Sequence, residues 1–221
     1  MTMNYKELDI KLQNRNSFQY RFMVFTPKDY DTKSTEKFPL LLFLHGAGER
    51  GENFELARKH GMSKLAAAGQ EFPFIIVAPQ CPKNDCWWPH HLEALLDYIE
   101  ENYRVDSDRI YITGLSMGGY ATWILGTMIP NRLAAIAPIC GWGNHLMAAA
   151  YGTLPIWAFH GDADTDVLPQ YSETMVNAVN EVGGNAMLTM YAGVGHNSWT
   201  QTYDNPALYE WLLNHRLSDR S

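Results

Sequence analysis

Apolar residues come in short unbroken runs along much of the chain. FPLLLFLH (38–45), FPFIIVAP (72–79), RIYITG (109–114), LAAIAPI (133–139), LPIWAFH (154–160) and AMLTMYA (186–192) are each about one strand long. Such runs predict strands covered on both faces, as in a parallel sheet. Segments 6–12 and 18–26 instead alternate apolar and polar residues. They predict two further strands, antiparallel, joined by a turn at the Asn/Arg/Asn/Ser cluster between them. Segments 53–68, 91–103, 117–129, 170–182 and 206–215 read as helices; in 91–103, Leu92, Leu95, Leu96 and Ile99 fall on one helical face. Alternating strands and helices predict an α/β fold, a mostly parallel eight-stranded sheet with helices on both faces. No repeat or low-complexity linker interrupts residues 1–221, so one domain is expected. Ligands of such sheets bind beyond the carboxyl ends of the strands, here the loops after His45, Ala78, Gly114, Ile139, His160 and Ala192.

Composition narrows the partners. The 221 residues are 46% hydrophobic and 19% charged, as in an ordinary globular protein. The net charge of −7 and the lack of a Lys/Arg run argue against nucleic acid. No apolar run approaches the roughly 18 residues of a membrane span, and the amino terminus shows no signal-peptide pattern, so a cytoplasmic protein without membrane contact is expected. Three cysteines, Cys81, Cys86 and Cys140, suggest reduced thiols in that compartment. No Cys/His spacing suits zinc. Asp162, Asp164, Asp166 and Glu173 mimic part of a calcium loop, but Val167 holds the position that needs glycine and a strand replaces the entering helix. Neither a metal nor a cofactor is expected.

The chemistry centres on YITGLSMGGYATW (111–123). Gly114-Leu115-Ser116-Met117-Gly118 fits G-x-S-x-G, a sharp strand-to-helix turn that lifts a serine Oγ above the sheet. Bare glycine is needed on both sides because side chains there would strike backbone. A serine hydroxyl needs a base, and the base needs a carboxylate to orient it. Downstream, in the order such sheets use, come Asp162, Asp164 and Asp166 after one strand and His196 after the next. Gly193 and Gly195 let the His196 loop turn back toward the serine, which makes His196 the expected base. His145 reads as a surface helix start and His160 as packed and hydrogen-bonded. His215 falls in the terminal helix, and His60, His90 and His91 at exposed helical positions. Spacing does not choose among the three acids. The developing oxyanion needs backbone donors, expected from Met117 and from the glycine-rich segment His45–Gly51. That segment lacks the lysine and serine or threonine of a nucleotide-binding loop.

Taken together, LFLHGAGERG, PQCP, RIYITGLSMGGYATW, FHGDADTDV and GVGHNSWTQTYDNPALYEWLL resemble the α/β-hydrolase superfamily. They are most similar to small carboxylesterase/phospholipase-like esterases, and more distantly to feruloyl and acetylxylan esterases, polyhydroxybutyrate depolymerases and dienelactone hydrolases. The resemblance covers about residues 18–215. It implies an α/β-hydrolase fold and a serine carboxylesterase with Ser116 as nucleophile, His196 as base and Asp164 as acid. It also implies oxyanion donors at the N–H groups of Ala47 and Met117. Thr165 stands where relatives often carry proline, which leaves Asp166 open as a substitute acid, and Trp142 stands where they tend to have small residues. Residues 140–154 are too few for a cap domain, so bulky or chain-end esters are expected to reach the site. Trp87, Trp88, Trp142 and Trp199 fall in carboxyl-end loops and are candidate substrate-binding surfaces. Trp123, Trp157 and Trp211 fall in regular elements and are expected to pack. A peptidase or thioesterase with the same three side chains, or an inactive binding module of this fold, are the alternatives.

Overall fold

The computed structural model describes residues 3–12, 18–33 and 35–220. Eight strands form one sheet: β1 (Asn4–Leu12), β2 (Phe18–Thr26), β3 (Phe38–Leu44), β4 (Ile75–Gln80), β5 (Val105–Leu115), β6 (Ala135–Ile139), β7 (Pro155–Gly161) and β8 (Asn185–Tyr191). Their order is β1-β2-β4-β3-β5-β6-β7-β8. β2 runs antiparallel to both β1 and β4, and every other neighbouring pair is parallel. The turn expected between β1 and β2 lies outside the described residues.

The helices are α1 (Phe54–Ala57), α2 (Gly61–Ala67), α3 (Pro89–Asn102), α4 (Met117–Met128), α5 (Gln170–Glu181), α6 (Trp199–Tyr203) and α7 (Pro206–Leu213). Alternate side chains of the strands feed two cores. Leu40, Leu42 and Leu44 join Ile110, Ile112 and residues of α3, α4 and α5 on one face of the sheet. Leu41 and Phe43 join Ile76, Tyr111 and residues of α1, α2 and α7 on the other. On α3, Leu92, Leu95, Leu96 and Ile99 are all fully buried, as their helical spacing requires.

Three elements depart from the sequence expectation, one of them the short helix α6, which no predicted segment covers. Segment 53–68 is two short helices, because Gly61 takes φ +64 and the Phe43 ring comes within 2.4 Å of where a Cβ would stand. β5 starts at Val105 rather than 109, pairing Val105 with Phe38 before the register shifts to Leu40 opposite Ile110. Between β6 and β7 the chain makes only a short 3-10 helix, His145–Tyr151, and no cap domain. No helix among the described residues is long and apolar enough to cross a membrane. All three cysteines are free thiols.

Trp123 fills the core under α4, fully buried and edge-on to Tyr151. Trp123→Ala should lower unfolding stability by about 3–5 kcal/mol, read as a lower urea midpoint at unchanged slope.

Candidate active site

Ser116 lies between the end of β5 and the start of α4 with φ 54 and ψ −115, a conformation that a residue with a side chain seldom adopts. Its neighbours explain how the strain is held. A Cβ on Gly118 would lie 1.9 Å from the Leu44 carbonyl oxygen, and one on Gly114 would lie 2.5 Å from the Gly118 oxygen. The turn is anchored by the Ser116 N–H donating to Ile139 O (3.0 Å) and by the Tyr120 N–H donating to Ser116 O (2.9 Å).

His196 stands between the serine and an acid. Its Nδ1–H donates to Asp164 Oδ2 at 2.7 Å, and Ser116 Oγ–H donates to its Nε2 at 2.9 Å. The loop that carries it is tied to the end of β7: the Ala163 N–H donates to Val194 O (3.0 Å), and the Gly193 N–H, at φ +71, donates to Asp162 Oδ1 (2.6 Å).

The three acids thus separate. Asp162 fastens the histidine loop. Asp166 is exposed, and its backbone N–H donates to Asp164 Oδ1 at 2.9 Å. Asp164 is buried and faces the imidazole. Burial opposes its ionisation, but hydrogen bonds from His196 and from the Val167 and Asp166 N–H groups prevail and hold its pKa below the ordinary carboxylate value.

The segment after β3 borders the serine: a Cβ on Gly46 would lie 3.5 Å from Ser116 Cβ. Ala47 and Met117 each begin a helix, so their N–H groups lack the acceptor that a helix interior supplies. Three residues not singled out individually from the sequence hold this loop. His45 Nδ1–H donates to Gly46 O (2.7 Å), while its Nε2 accepts the Cys81 N–H (3.0 Å). Burial pushes the His45 pKa down to about 4. The buried Glu49 accepts the Gly46 N–H at 2.9 Å. Gln80 Nε2 donates to Glu49 O at 2.5 Å. The His-Gly pair ending an apolar run was the available signal for His45. Nothing in the local sequence marks Glu49 or Gln80, which act through the fold.

The four loop tryptophans differ. Trp87 is buried, packs on the His45 ring and donates its Nε1–H to His45 O at 3.0 Å, so it is a strut under the loop rather than a ligand surface. Trp88 is exposed and bonded to Asp85. Trp142 is half-buried and stacked on Tyr120 at 4.9 Å, and Trp199 stands edge-on to the His196 ring at 5.4 Å. Trp123 is core, and Trp157 and Trp211 pack edge to face on each other. His145 is exposed, and the buried His160 contacts Asp164. A cavity of about 720 Å³ lined by Lys28, Phe38, Pro73 and Arg109 lies at the amino ends of the strands, away from Ser116.

Asp164, Asp166 and His196 are close enough together to be weighed as metal ligands. They do not fit one: both His196 nitrogens are committed to Ser116 and Asp164, and both Asp164 oxygens already accept N–H donors.

The buried His45 makes stability pH-dependent. Unfolded, it titrates near ~6.5; folded, near the about 4 set by burial. Between these values the unfolded chain binds a proton that the folded chain does not, so stability is full above the upper value and falls as the pH drops toward the lower. The loss is about 3 kcal/mol. Burial lowers the His160 pKa as well, adding a loss of the same sign. Urea unfolding at stepped pH should show this decline, with a shallower slope in His45→Asn.

A family profile described as "Putative esterase" matches residues 15–214. The bifunctional acetylxylan esterase/xylanase XynS20E of Neocallimastix patriciarum is 30% identical over 137 residues, 59% of this chain and 20% of that protein. Poly(3-hydroxyalkanoate) depolymerase C of Paucimonas lemoignei is 28% identical over 120 residues, 47% of this chain and 28% of that one. The match thus spans under a third of either curated relative. A solved thermostable esterase superposes with a TM-score of 0.83 at 30% identity, over 96% of this chain and 63% of the other. A ferulic acid esterase superposes with a TM-score of 0.72 at 21% identity, over 96% and 97%. The sheet order, the strained serine turn and a profile match over nearly the whole chain agree: the protein has the α/β-hydrolase fold and belongs to the "Putative esterase" family.

Proposed function

We propose that this chain is a serine carboxylesterase that hydrolyses carboxylic esters through an acyl-enzyme on Ser116. The observation that carries the reading is the hydrogen-bonded line Ser116–His196–Asp164, at 2.9 Å and 2.7 Å, with its serine on a strained turn at the head of a helix. His196 Nε2 takes the hydroxyl proton as Oγ attacks the ester carbonyl, and Asp164 holds the imidazole in the Nδ1–H tautomer that leaves Nε2 free to act. The N–H groups of Ala47 and Met117 receive the oxyanion, stabilising it by about 3 kcal/mol each. The protonated His196 then gives its proton to the departing alcohol, and water, activated by the same imidazole, releases the acid.

The short 3-10 helix between β6 and β7 supports access by bulky or chain-end esters. Trp142 stacked on Tyr120, and Trp199 beside His196, offer apolar faces for an acyl or aryl group. The acetylxylan esterase and depolymerase names of the relatives accord with such substrates.

A p-nitrophenyl ester panel alongside thioesters and aminoacyl amides tests the reading. Wild type should turn over esters best and be labelled by a fluorophosphonate. Ser116→Ala should lose the label and about ten-thousandfold or more in kcat. Amide turnover equal to ester turnover would favour a peptidase instead. Trp142→Ala should raise KM for aryl and long-chain esters more than for acetate, with its fold kept by circular dichroism.

A further inference from the structure

His160 takes no part in the steps above, yet it is fully buried against the acid. Its Nε2 lies 3.1 Å from Asp164 Oδ2 and 2.9 Å from Val167 O. Both neighbours are acceptors, the carboxylate because it is ionised and the carbonyl always. Nε2 must therefore carry the hydrogen, shared between them. On the other side, Nδ1 lies 2.7 Å from the hydroxyl of the buried Ser172 on α5. With Nε2 protonated and the ring neutral, Nδ1 accepts the Ser172 Oγ–H, whose other acceptor, Gly141 O, lies farther off at 3.4 Å. Burial favours that neutral ring and lowers its pKa, against the pull of the Val167 carbonyl and Asp164.

The Asp164 carboxylate is then fully subscribed. Oδ1 accepts the N–H groups of Asp166 (2.9 Å) and Val167 (3.0 Å), while Oδ2 accepts His196 Nδ1–H (2.7 Å) and His160 Nε2–H (3.1 Å). A carboxylate offers about four such directions, so the four donors leave it no freedom to rotate.

We propose that His160 is a positioning residue for hydrolysis: a second imidazole, set by Ser172, that fixes the orientation of Asp164 and tempers the charge Asp164 presents to His196. This rests on the reading of Ser116, His196 and Asp164 given above. The titratable groups around the pair are Asp164 and His196, together with the buried Cys140 thiol at the end of β6, which burial keeps neutral. α5 turns Ser172 inward and leaves Glu173 exposed. Removing the His160 N–H has two consequences. Asp164 gains freedom to swing, which slows the chemical step. Its charge is also less shielded, so it favours the imidazolium form of His196 more strongly, and the acidic limb of kcat/KM moves to higher pH.

The test compares wild type, His160→Leu, His160→Gln and Ser116→Ala on p-nitrophenyl acetate across the pH range, with the first three rates normalised to sites titrated by a fluorophosphonate and the Ser116→Ala rate to protein concentration. Glutamine places an amide NH2 near the ε position and can donate to both Asp164 and Val167. His160→Leu should lose about 10- to 100-fold in kcat with KM little changed. Its acidic limb should move to higher pH. His160→Gln should restore most of the rate and return the limb toward wild type. Equal loss in both variants with an unmoved limb would mean a merely structural role and overturn the proposal, as would a leucine variant with wild-type rate and profile. Should His160→Leu fail to fold, imidazole 1H–15N correlation spectra of wild type decide. A neutral Nε2–H ring at His160 from neutral to mildly acidic pH is expected, and an Nδ1–H tautomer or an imidazolium there refutes the role. Wild-type turnover by Ser116→Ala would instead remove the reading of the site itself. An inert Ser116→Ala with an unchanged leucine variant removes only the role of His160.

Discussion

The backbone of α4 passes so close to the end of β3 that a methyl group at residue 118 would stand 1.9 Å from the Leu44 carbonyl oxygen. Everything about the site follows from that approach. It forces the chain to leave β5 through a turn too tight for ordinary dihedrals, and Ser116 occupies the apex at φ 54. Strain of this kind costs about 1–3 kcal/mol and persists only where the surroundings over-determine it. Here they do: Gly119 crosses Gly141 backbone to backbone, and the Ser116 N–H is held by Ile139 O. The hydroxyl is therefore presented by the scaffold rather than by a flexible loop, and the helix start beneath it turns its free N–H groups to the same spot.

The electrostatic design sets the buried Asp164 carboxylate against two buried imidazoles, His45 and His160. Asp164 stays ionised because its hydrogen bonds outweigh its desolvation. His45 stays neutral, with a donor on one nitrogen and an acceptor on the other, each matched to a backbone group. The Gly46–Ala47 peptide shows why that matters. In a trans peptide the C=O and N–H point in opposite directions. A carbonyl pinned by His45 therefore also fixes the direction of the Ala47 N–H. The opposite pole of the site is organised likewise, with His160 against the acid in place of His45 against the loop.

Around these fixed groups the carboxyl edge of the sheet carries little else. Only a 3-10 helix separates β6 from β7, and aromatic side chains line the neighbouring turns. Trp142 and Tyr120 stack because the close crossing of Gly119 and Gly141 brings their backbones together, so one packing constraint shapes both the serine turn and the aromatic surface beside it.

Periodicity and punctuation were enough to find all eight strands and the main helices, because burial on two faces leaves a continuous apolar run and burial on one face of a helix leaves a repeat. The glycines at 114 and 118, the chain order of serine, acid and histidine, and Gly193 before His196 were equally readable, since each reflects a local backbone demand. Spacing alone could not choose among Asp162, Asp164 and Asp166, which alternate within five residues of chain and differ only in what β8 and its loop bring to meet them. The same holds for Trp87, which looks like a loop aromatic until His45 closes over it, and for Glu49, His160 and Ser172, whose partners are distant in sequence or hidden by a turn. Local sequence determined which segments could be strand, helix or strained turn. The tertiary structure decided which polar groups share a buried space, because hydrogen bonds between loops depend on how the sheet brings those loops together.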